Sequence, residues 1–325
     1  MTYSDRLYGQ IEINEPAILE LIACPTLQRL KGVDQGGYFE PYIAGCAHSR
    51  FEHSLGVYIL LKNQGASLEE QVSGLIHDVS HAAFSHCIDY VLDAGSEKEH
   101  NHQDNIFEAF VRRSEIPAII KKHGLDLDYI LDDANFPLKE TQLPDLCADR
   151  LDYSLRAGIV FKEMADGHYF LDNLESENGR WLFKNVASAR RYAALFLKLN
   201  NAYYAGLPAA AMLRTVGDCL RYAVAKSYIT EADLYTTDKQ VLDKIEENLE
   251  KDSELQRLFD RMNNRIPFQN DPQDYQMQIF VKSRMVDPLC RHEGEIRRLS
   301  EIEPEWEEIV ARESKPKEYH LKFEQ

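Results

Sequence analysis

The chain has 325 residues, of which 44% are hydrophobic and 28% charged, with 16 Gly and 12 Pro. This composition excludes a disordered, collagen-like or coiled-coil protein. The 54 acidic residues outnumber the 37 basic ones, and the net charge of −17 argues against a surface that coats nucleic acid or binds an anionic membrane.

No stretch approaches the roughly 18 consecutive apolar residues that a membrane span requires, and the first residues lack the apolar core of a signal peptide. We therefore expect a cytoplasmic protein. The six Cys residues are widely spaced without a CxxC pair, which predicts reduced thiols and neither a zinc ribbon nor a disulfide framework.

Helical periodicity of the hydrophobic residues dominates, so the sequence predicts an all-α fold. Ser67-Leu-Glu-Glu70 fits a capping box, and Gly158 is expected to end the helix that precedes it. The helices are predicted at residues 50–63, 68–82, 102–114, 143–157, 186–205, 209–228 and 238–262.

Two segments are expected to be extended. Residues 168–185 hold two apolar and aromatic runs around Glu177-Asn178-Gly179, a turn sequence typical of a β-hairpin. Met277–Val286 alternates imperfectly between polar and apolar residues. We divide the chain into a helical catalytic region at 1–235, with its motifs within 48–157, and an acidic, mostly helical region at 236–325.

Histidines are concentrated in one stretch, because seven of the eleven fall between His48 and His102. On a helix, His77, Asp78 and His81 would be close enough to approach one ion. A single histidine is most often a structural or surface residue. Several beside apolar helix faces would each cost desolvation free energy unless bonded or metallated. Together with the carboxylates that follow, the cluster predicts a divalent metal site.

Three tracts carry a resemblance to a known family: Arg50-Phe-Glu-His53-Ser-Leu-Gly-Val57, Leu75-Ile-His77-Asp78-Val-Ser-His81-Ala-Ala-Phe-Ser-His86 and Ala148-Asp149-Arg150-Leu-Asp152-Tyr153. They resemble the HD-domain phosphohydrolases, above all their deoxynucleoside triphosphate (dNTP) triphosphohydrolase branch. The resemblance implies an HD-domain helical bundle and a metal-dependent hydrolase of nucleotides, with dNTPs as the leading substrates. It also implies a homo-oligomer. The expected partners are a small phosphorylated substrate and further copies of the chain, with no membrane and no extensive nucleic-acid binding.

Matched position by position, the resemblance implies the following metal ligands: His53, His77, Asp78 and Asp149. Two imidazoles and two carboxylates leave coordination positions open, as a catalytic site requires. They do not select among Mn, Fe, Co, Ni, Zn and Mg. The resemblance further implies proton handling, phosphate contact or accessory support by His81, His86, Asp89 and His102. It implies phosphate or sugar contacts by Arg50, Arg150 and Tyr153.

Several positions depart from the family pattern for a deoxynucleotide. Gly32-Val33 stands in place of a nucleoside-contacting Gln-Leu, Ala157 in place of a sugar-contacting acid, and Gln103 in place of a Glu. A helix that supplies Arg, His and Tyr in the mammalian enzyme has as its counterpart a segment with Lys198, Tyr203 and Tyr204. The metal centre is therefore predicted on stronger grounds than the nucleotide pocket.

Three alternatives remain open at this stage. The departures favour a phosphatase or phosphodiesterase for a different nucleotide or phosphoester. The additional histidines His81, His86 and His102 would suit an oxidative enzyme of the HD type with two irons. A nucleotide-sensing or protein-interaction module without turnover would use the acidic residues 231–257 as a docking face.

Overall fold

The structure, a computed structural model, describes residues 1–92 and 102–324. Most of the helices lie before residue 263. Within the described residues the α-helices are α1 Pro16–Ala23, α2 Pro25–Arg29, α3 Arg50–Asn63, α4 Leu68–Ile76, α5 His102–Arg113, α6 Ile116–Lys122, α7 Leu127–Leu131, α8 Ala148–Val160, α9 His168–Asp172, α10 Val186–Leu199, α11 Leu207–Ala225, α12 Glu231–Leu234, α13 Asp238–Glu246, α14 Ser253–Met262, α15 Leu299–Ile302 and α16 Pro304–Glu313. A π-helical turn, Asn200–Tyr204, joins α10 to α11.

Strands form three separate sheets in the described part of the chain. The strands are β1 Thr2–Asp5, β2 Gly9–Glu12, β3 Leu174–Glu177, β4 Arg180–Phe183, β5 Phe268–Asn270, β6 Met277–Val281, β7 Leu289–His292, β8 Glu295–Arg298 and β9 Lys317–Phe323. The first sheet is the hairpin β1–β2, the second has the order β3-β4-β7-β8, and the third has the order β5-β9-β6. The pair β4–β7 is parallel, and the other pairs are antiparallel.

The prediction of an all-α fold is therefore wrong, because the protein is 53% helical with 13% of its residues in strands. Most of these strands span three to five residues, which is too short for a period of two to stand out from a helical one. Their partners are also distant in sequence. β9, near the end of the chain, pairs with both β5 and β6, and a local pattern carries no information about such pairing.

The hairpin predicted around Glu177-Asn178-Gly179 is present as β3–β4. Asn178 and Gly179 have φ angles of 51° and 72°, and positive φ at both central residues is what a two-residue hairpin turn of type I′ requires. The start of the predicted segment differs, because residues 168–172 form α9. The second extended segment is confirmed over Met277–Val281 as β6.

Several predicted helices have different boundaries in the structure. The helix predicted at 238–262 is divided into α13 and α14, and the helix predicted at 186–205 ends at Leu199. The predicted helix 68–82 ends at Ile76, with His77 as its C-cap. Gly158 lies inside α8, which begins at Ala148 and continues to Val160. Ser67 caps α4 as expected by accepting a hydrogen bond from the Glu70 backbone N–H. The Glu70 carboxylate, however, accepts from two backbone N–H groups, those of Leu138 and Lys139.

Two large hydrophobic clusters form the core. The first includes the buried faces of α3, α4 and α8, and the second those of α11 and α14 together with β6 and β9. The second cluster contains Leu234 and Val241, so buried packing runs across the division that we placed at residue 235, and that division stays a prediction. All six cysteines are free and buried. Among the described residues, no helix is long and apolar enough to cross a membrane.

Gly56 allows α3 to approach α8 closely. A Cβ atom at this position would lie 1.9 Å from Asp152 Oδ1 and 2.4 Å from Arg156 Nη2, and both of those side chains are fully buried. We expect Gly56→Ala to lower the free energy of unfolding by about 3 kcal/mol or more, because it disrupts a buried ion pair. Chemical denaturation measures this change.

Gly158→Ala is the matched control for this stability prediction. Gly158 is also helical, but the three atoms nearest to its added Cβ all belong to the flexible Met164 side chain, the closest at 3.1 Å. The gain in helix propensity offsets this contact, so stability should change by about 1 kcal/mol or less. Equal losses in the two variants would contradict the close approach of α3 to α8.

Candidate metal centre and substrate cavity

Three side chains converge where α3, α4 and α8 meet. His53 lies on α3, His77 caps the end of α4, and Asp149 is in the first turn of α8. His53 Nε2 lies 3.2 Å from His77 Nε2 and 2.9 Å from Asp149 Oδ1, and His77 Nε2 lies 3.6 Å from Asp149 Oδ1. Three potential ligand atoms within 4.8 Å of one another could hold one metal ion.

A hydrogen bond from the Nδ1 atom of each histidine orients its imidazole ring. His53 Nδ1 donates to Asp152 Oδ2 at 2.8 Å, and His77 Nδ1 donates to the carbonyl oxygen of Gly74 at 2.7 Å. Each Nε2 is then the nitrogen that faces the cluster. A hydrogen bond of this kind fixes the tautomer and orientation of a metal-binding histidine, so the arrangement suits metal ligation.

Asp152 is itself held from several directions. Arg156 donates to its two carboxylate oxygens from Nε at 3.0 Å and from Nη2 at 2.9 Å, and the Tyr8 hydroxyl donates to Oδ1 at 2.8 Å. Asp152 therefore pairs with Arg156 and supports His53.

The electrostatics of the cluster favour a cation. Burial alone would lower the pKa of His53, but hydrogen bonds to Asp149 and Asp152 outweigh it and raise the pKa to about 9. Burial alone would raise the pKa of Asp149, but the hydrogen bonds with His53 and His77 hold it well below its usual range. These pKa shifts show that the site stabilises positive charge, and nitrogen and oxygen ligands suit a divalent ion.

Asp78 lies beside the cluster and is also part of an ion pair. Its Oδ1 is 3.5 Å from His77 Nε2, and its Oδ2 is 3.7 Å from His53 Nε2. The same Oδ2 accepts a hydrogen bond from Arg50 Nη1 at 2.6 Å. The structure therefore places Asp78 next to the other three residues, and its role as a ligand stays a prediction.

The cluster borders a cavity of about 330 Å³, which is within the size range of small-molecule sites. Most of the residues singled out in the sequence line this cavity: Arg50, His77, Asp78, His81, His86, Asp149, Arg150 and Tyr153. His53, Asp89 and His102 are not among the lining residues. The His102 backbone N–H donates to Asp89 Oδ1 at 2.9 Å, and His102 Nε2 lies 2.9 Å from the Tyr235 hydroxyl. The roles of Asp89 and His102 stay predictions.

Two neutral imidazoles, those of His81 and His86, line the cavity together with Asp78. His81 Nε2 lies 3.3 Å from Asp78 Oδ1, and the His81 and His86 rings meet edge to face at 5.2 Å. Burial and the charge of Arg50 lower the pKa of His81 to about 3. Burial, followed by the charges of Arg50 and Arg284, lowers the pKa of His86 to about 3. At neutral pH both rings are therefore uncharged.

Arg50 and Arg150, the two arginines that the sequence predicts to contact the substrate, already have several hydrogen-bond partners within the protein. Arg50 donates from Nε to Ser85 Oγ at 2.7 Å and from Nη2 to the Gln35 carbonyl at 3.1 Å, in addition to its bond with Asp78. Arg150 donates from Nη1 to the Asp145 carbonyl at 2.6 Å, and from both Nη atoms to the Thr141 carbonyl. Much of their donor capacity is therefore used within the protein.

Sequence reasoning missed several cavity residues that belong to no family motif. They are Gln35, Asp104, Glu140, Phe161, Lys282 and Arg284. Phe161 and Tyr203 stack face to face with ring centroids 4.0 Å apart. Lys282 and Arg284 extend the alternation that marked β6, and this alternation was the signal in the sequence that could have identified them.

The positions that depart from the family pattern have distinct places in the structure. Ala157, Tyr203 and Tyr204 line the cavity, as does Gln103. Lys198 is paired with Glu163. Among the described residues, a second group of potential ligands consists of Glu140, Cys147 and Asp149, and neither group includes His81, His86 or His102. The geometry therefore lends no support to a second iron bound by those histidines.

Comparisons with known proteins agree with this architecture. The HD-domain family model matches residues 50–157. The chain is 34% identical to the Bacillus subtilis protein YdhJ over 89% of this chain and 88% of that protein. It is also 34% identical to the metal-dependent phosphohydrolase cns2 of Cordyceps militaris, over 61% of this chain and 57% of that protein. The mouse deoxynucleoside triphosphate triphosphohydrolase SAMHD1 is 33% identical over 38% of this chain and 22% of its own length.

Solved structures share the whole fold. A phosphohydrolase from Bacteroides thetaiotaomicron superposes with a TM-score of 0.73 over 100% of both chains, at 17% identity. A hypothetical protein from Aquifex aeolicus superposes with a TM-score of 0.74 over 99% of this chain and 96% of that one, at 19% identity. The chain belongs to the HD-domain superfamily of metal-dependent phosphohydrolases. Its cofactor is a divalent metal ion, for which the cluster of His53, His77 and Asp149 is suited.

Proposed function

We propose that the protein hydrolyses a phosphate ester bond of a nucleotide in this cavity, with dNTPs as the leading substrates. The observation that carries the proposal is the convergence of His53, His77 and Asp149 at the wall of a cavity that also contains arginine and neutral histidine side chains. The partial similarity to SAMHD1 supports the choice of dNTPs.

In this proposal His53, His77 and Asp149 hold the metal ion, and Asp78 completes the ligand set. The chemistry that a divalent ion supplies when bound is polarisation of a phosphoryl oxygen and compensation of phosphate charge. Arg50 keeps Asp78 ionised and oriented, because burial would otherwise raise the pKa of that carboxyl, whereas Arg50 holds it well below its usual range. Asp152 fixes His53 in the orientation that ligation requires.

His81 is the proposed proton-handling group. Its Nε2 lies 3.3 Å from Asp78 Oδ1, so Nε2–H can donate to this carboxylate and leave Nδ1 as a proton acceptor. General acid or base catalysis works best with a pKa near the working pH. Without substrate the pKa of His81 is about 3, and the negative charge of a phosphate bound in the cavity would raise it towards that range. His86, in edge contact with His81, helps to set its orientation.

Aromatic and apolar residues line another part of the cavity. Phe161, Tyr203 and Tyr204 lie there with Ala157 and Met212. Aromatic faces stack on nucleobases, which supports a nucleoside as the organic part of the substrate. Ala157 favours a second candidate function, a phosphatase or phosphodiesterase for another phosphoester. The reason is that this side chain has no carboxylate to accept a hydrogen bond from a sugar hydroxyl.

A nucleotide panel with product identification tests the proposal. Metal-loaded protein should hydrolyse at least one dNTP, and chelation of the metal should abolish the reaction. Release of tripolyphosphate, diphosphate or phosphate shows which bond is cleaved. Turnover of a different phosphoester without any dNTP turnover would favour the second candidate, and no turnover with any tested metal would contradict both.

A further inference from the structure

We propose that Arg284, carried by the segment after β6, binds a phosphate group of the substrate other than the one held at the metal centre. This inference rests on the proposed phosphohydrolase function and specifies its substrate as a compound with more than one phosphate. It also gives the C-terminal region a function, because this region then supplies part of the substrate site.

The segment that carries Arg284 alternates between buried and cavity-facing residues. Val281, Ser283 and Met285 are buried, whereas Lys282 and Arg284 are partly exposed and line the cavity. In an extended backbone successive side chains point to opposite sides. Burial of one side therefore directs the two basic side chains towards the cavity.

A fully buried asparagine fixes this segment in place. Asn200, in the π-helical turn between α10 and α11, accepts a hydrogen bond at Oδ1 from the Arg284 backbone N–H at 3.0 Å. Its Nδ2 donates to Ser283 Oγ at 2.8 Å, and the Ser283 hydroxyl donates to the Glu313 carbonyl. A buried amide is costly unless it is bonded, so the protein maintains a polar contact here that sets the position of Arg284.

Arg284 differs from the other cavity arginines in its available donors. Arg50 and Arg150 donate to protein groups, as described above. Within residues 1–92 and 102–324, no carboxylate lies within 4.0 Å of the Arg284 guanidinium, and no hydrogen bond from that group is found. Its planar donors are therefore available for two parallel bonds to a phosphate, the geometry that a guanidinium favours.

The position of Arg284 fits a ligand that spans the cavity. His86 and Tyr153 both line the cavity. The charges of Arg284 and of Asp149 both act on the pKa values of these two side chains. Arg284 and the metal-binding cluster are contributed by different parts of the chain, and they border one space of about 330 Å³. A ligand with two or more linked phosphates can contact both, whereas a single phosphate bound at the metal centre need not contact Arg284.

Equilibrium binding to the full-length, metal-loaded protein tests the inference, with inorganic tripolyphosphate and inorganic phosphate as probes at equal free metal concentration. Arg284→Gln should weaken tripolyphosphate binding by about 10- to 100-fold, since it removes charge-assisted hydrogen bonds, and should change phosphate binding by about twofold or less. Arg284→Lys should give an intermediate loss, because it retains the charge without the planar pair of donors. Calorimetry measures both affinities.

Arg297→Gln is the matched control, because Arg297 lies in the same region on β8, pairs with Glu295 and does not line the cavity. It should leave both affinities unchanged. Three results would overturn the inference: no tripolyphosphate binding by the original protein, equal tripolyphosphate binding by Arg284→Gln, or equal losses for both probes. The failure of the proposed function would appear separately, as the absence of nucleotide hydrolysis in protein that still binds tripolyphosphate through Arg284.

Discussion

Asp149→Asn is expected to abolish hydrolysis, with a loss of at least about 1,000-fold in turnover. Asp149 Oδ1 lies 2.9 Å from His53 Nε2 and supplies the carboxylate of the three-residue cluster. An amide of the same shape removes the negative charge that attracts the cation. Loss of the metal would forfeit several kcal/mol of transition-state stabilisation, and each 1.36 kcal/mol corresponds to a factor of ten in rate.

Metal content and turnover should be measured on the same Asp149→Asn preparation. The fold should survive, because the substitution preserves volume and Asp149 is partly exposed at the cavity. Asp128→Asn is the control, since Asp128 is exposed on α7 and pairs with Arg112, and it should retain both metal and activity. A folded Asp149→Asn protein with full turnover would contradict the assigned centre.

Asp152→Asn is expected to lower metal affinity by about 10- to 100-fold, the usual effect of losing the partner that orients a metal-binding histidine. Asp152 Oδ2 accepts from His53 Nδ1 at 2.8 Å, and an amide at this position disturbs that bond. The variant should also be less stable by roughly 3 kcal/mol, because Arg156 loses a buried carboxylate partner. Metal titration and chemical denaturation separate the two effects.

Asp5→Asn provides a control that distinguishes orientation from stability. Asp5 Oδ2 accepts from Arg156 Nη1 at 3.0 Å, so this variant also weakens the buried ion pair. Among the described residues, however, Asp5 accepts no hydrogen bond from His53. We expect a comparable loss of stability with an unchanged metal affinity. Equal metal affinities in Asp152→Asn and Asp5→Asn would contradict the orienting role of Asp152.

The sequence predicted the residues of the metal cluster because each lies in a short motif with its own chemistry. His53, His77 and Asp149 were identified from local tracts, and the structure brings them together. The helix predicted at 68–82 is longer than the observed helix α4, which ends at Ile76 before Asp78. His77 is the C-cap of α4, and its Nδ1 bonds to the Gly74 carbonyl at the end of that helix, a contact that periodicity does not reveal.

Other features depend on contacts between distant parts of the chain. The β content arises from short strands whose pairing, as between β6 and β9, leaves little local pattern. Arg150 matched a substrate-contacting position, yet several of its donors bond to nearby backbone carbonyls. The alternation along Met277–Val286 predicts that Arg284 points to the same side as Lys282, but it does not predict that this side faces the cavity. Arg284 lies more than 100 residues beyond the last motif, and a hydrogen bond to Asn200 positions it.

Anomalous diffraction at the manganese edge, from crystals grown with Mn²⁺, tests directly whether His53, His77 and Asp149 hold the metal. We predict one strong peak in contact with His53 Nε2, His77 Nε2 and an Asp149 carboxylate oxygen, at the wall of the cavity. A manganese ion bound elsewhere, with these three side chains unligated, would contradict the assigned metal centre.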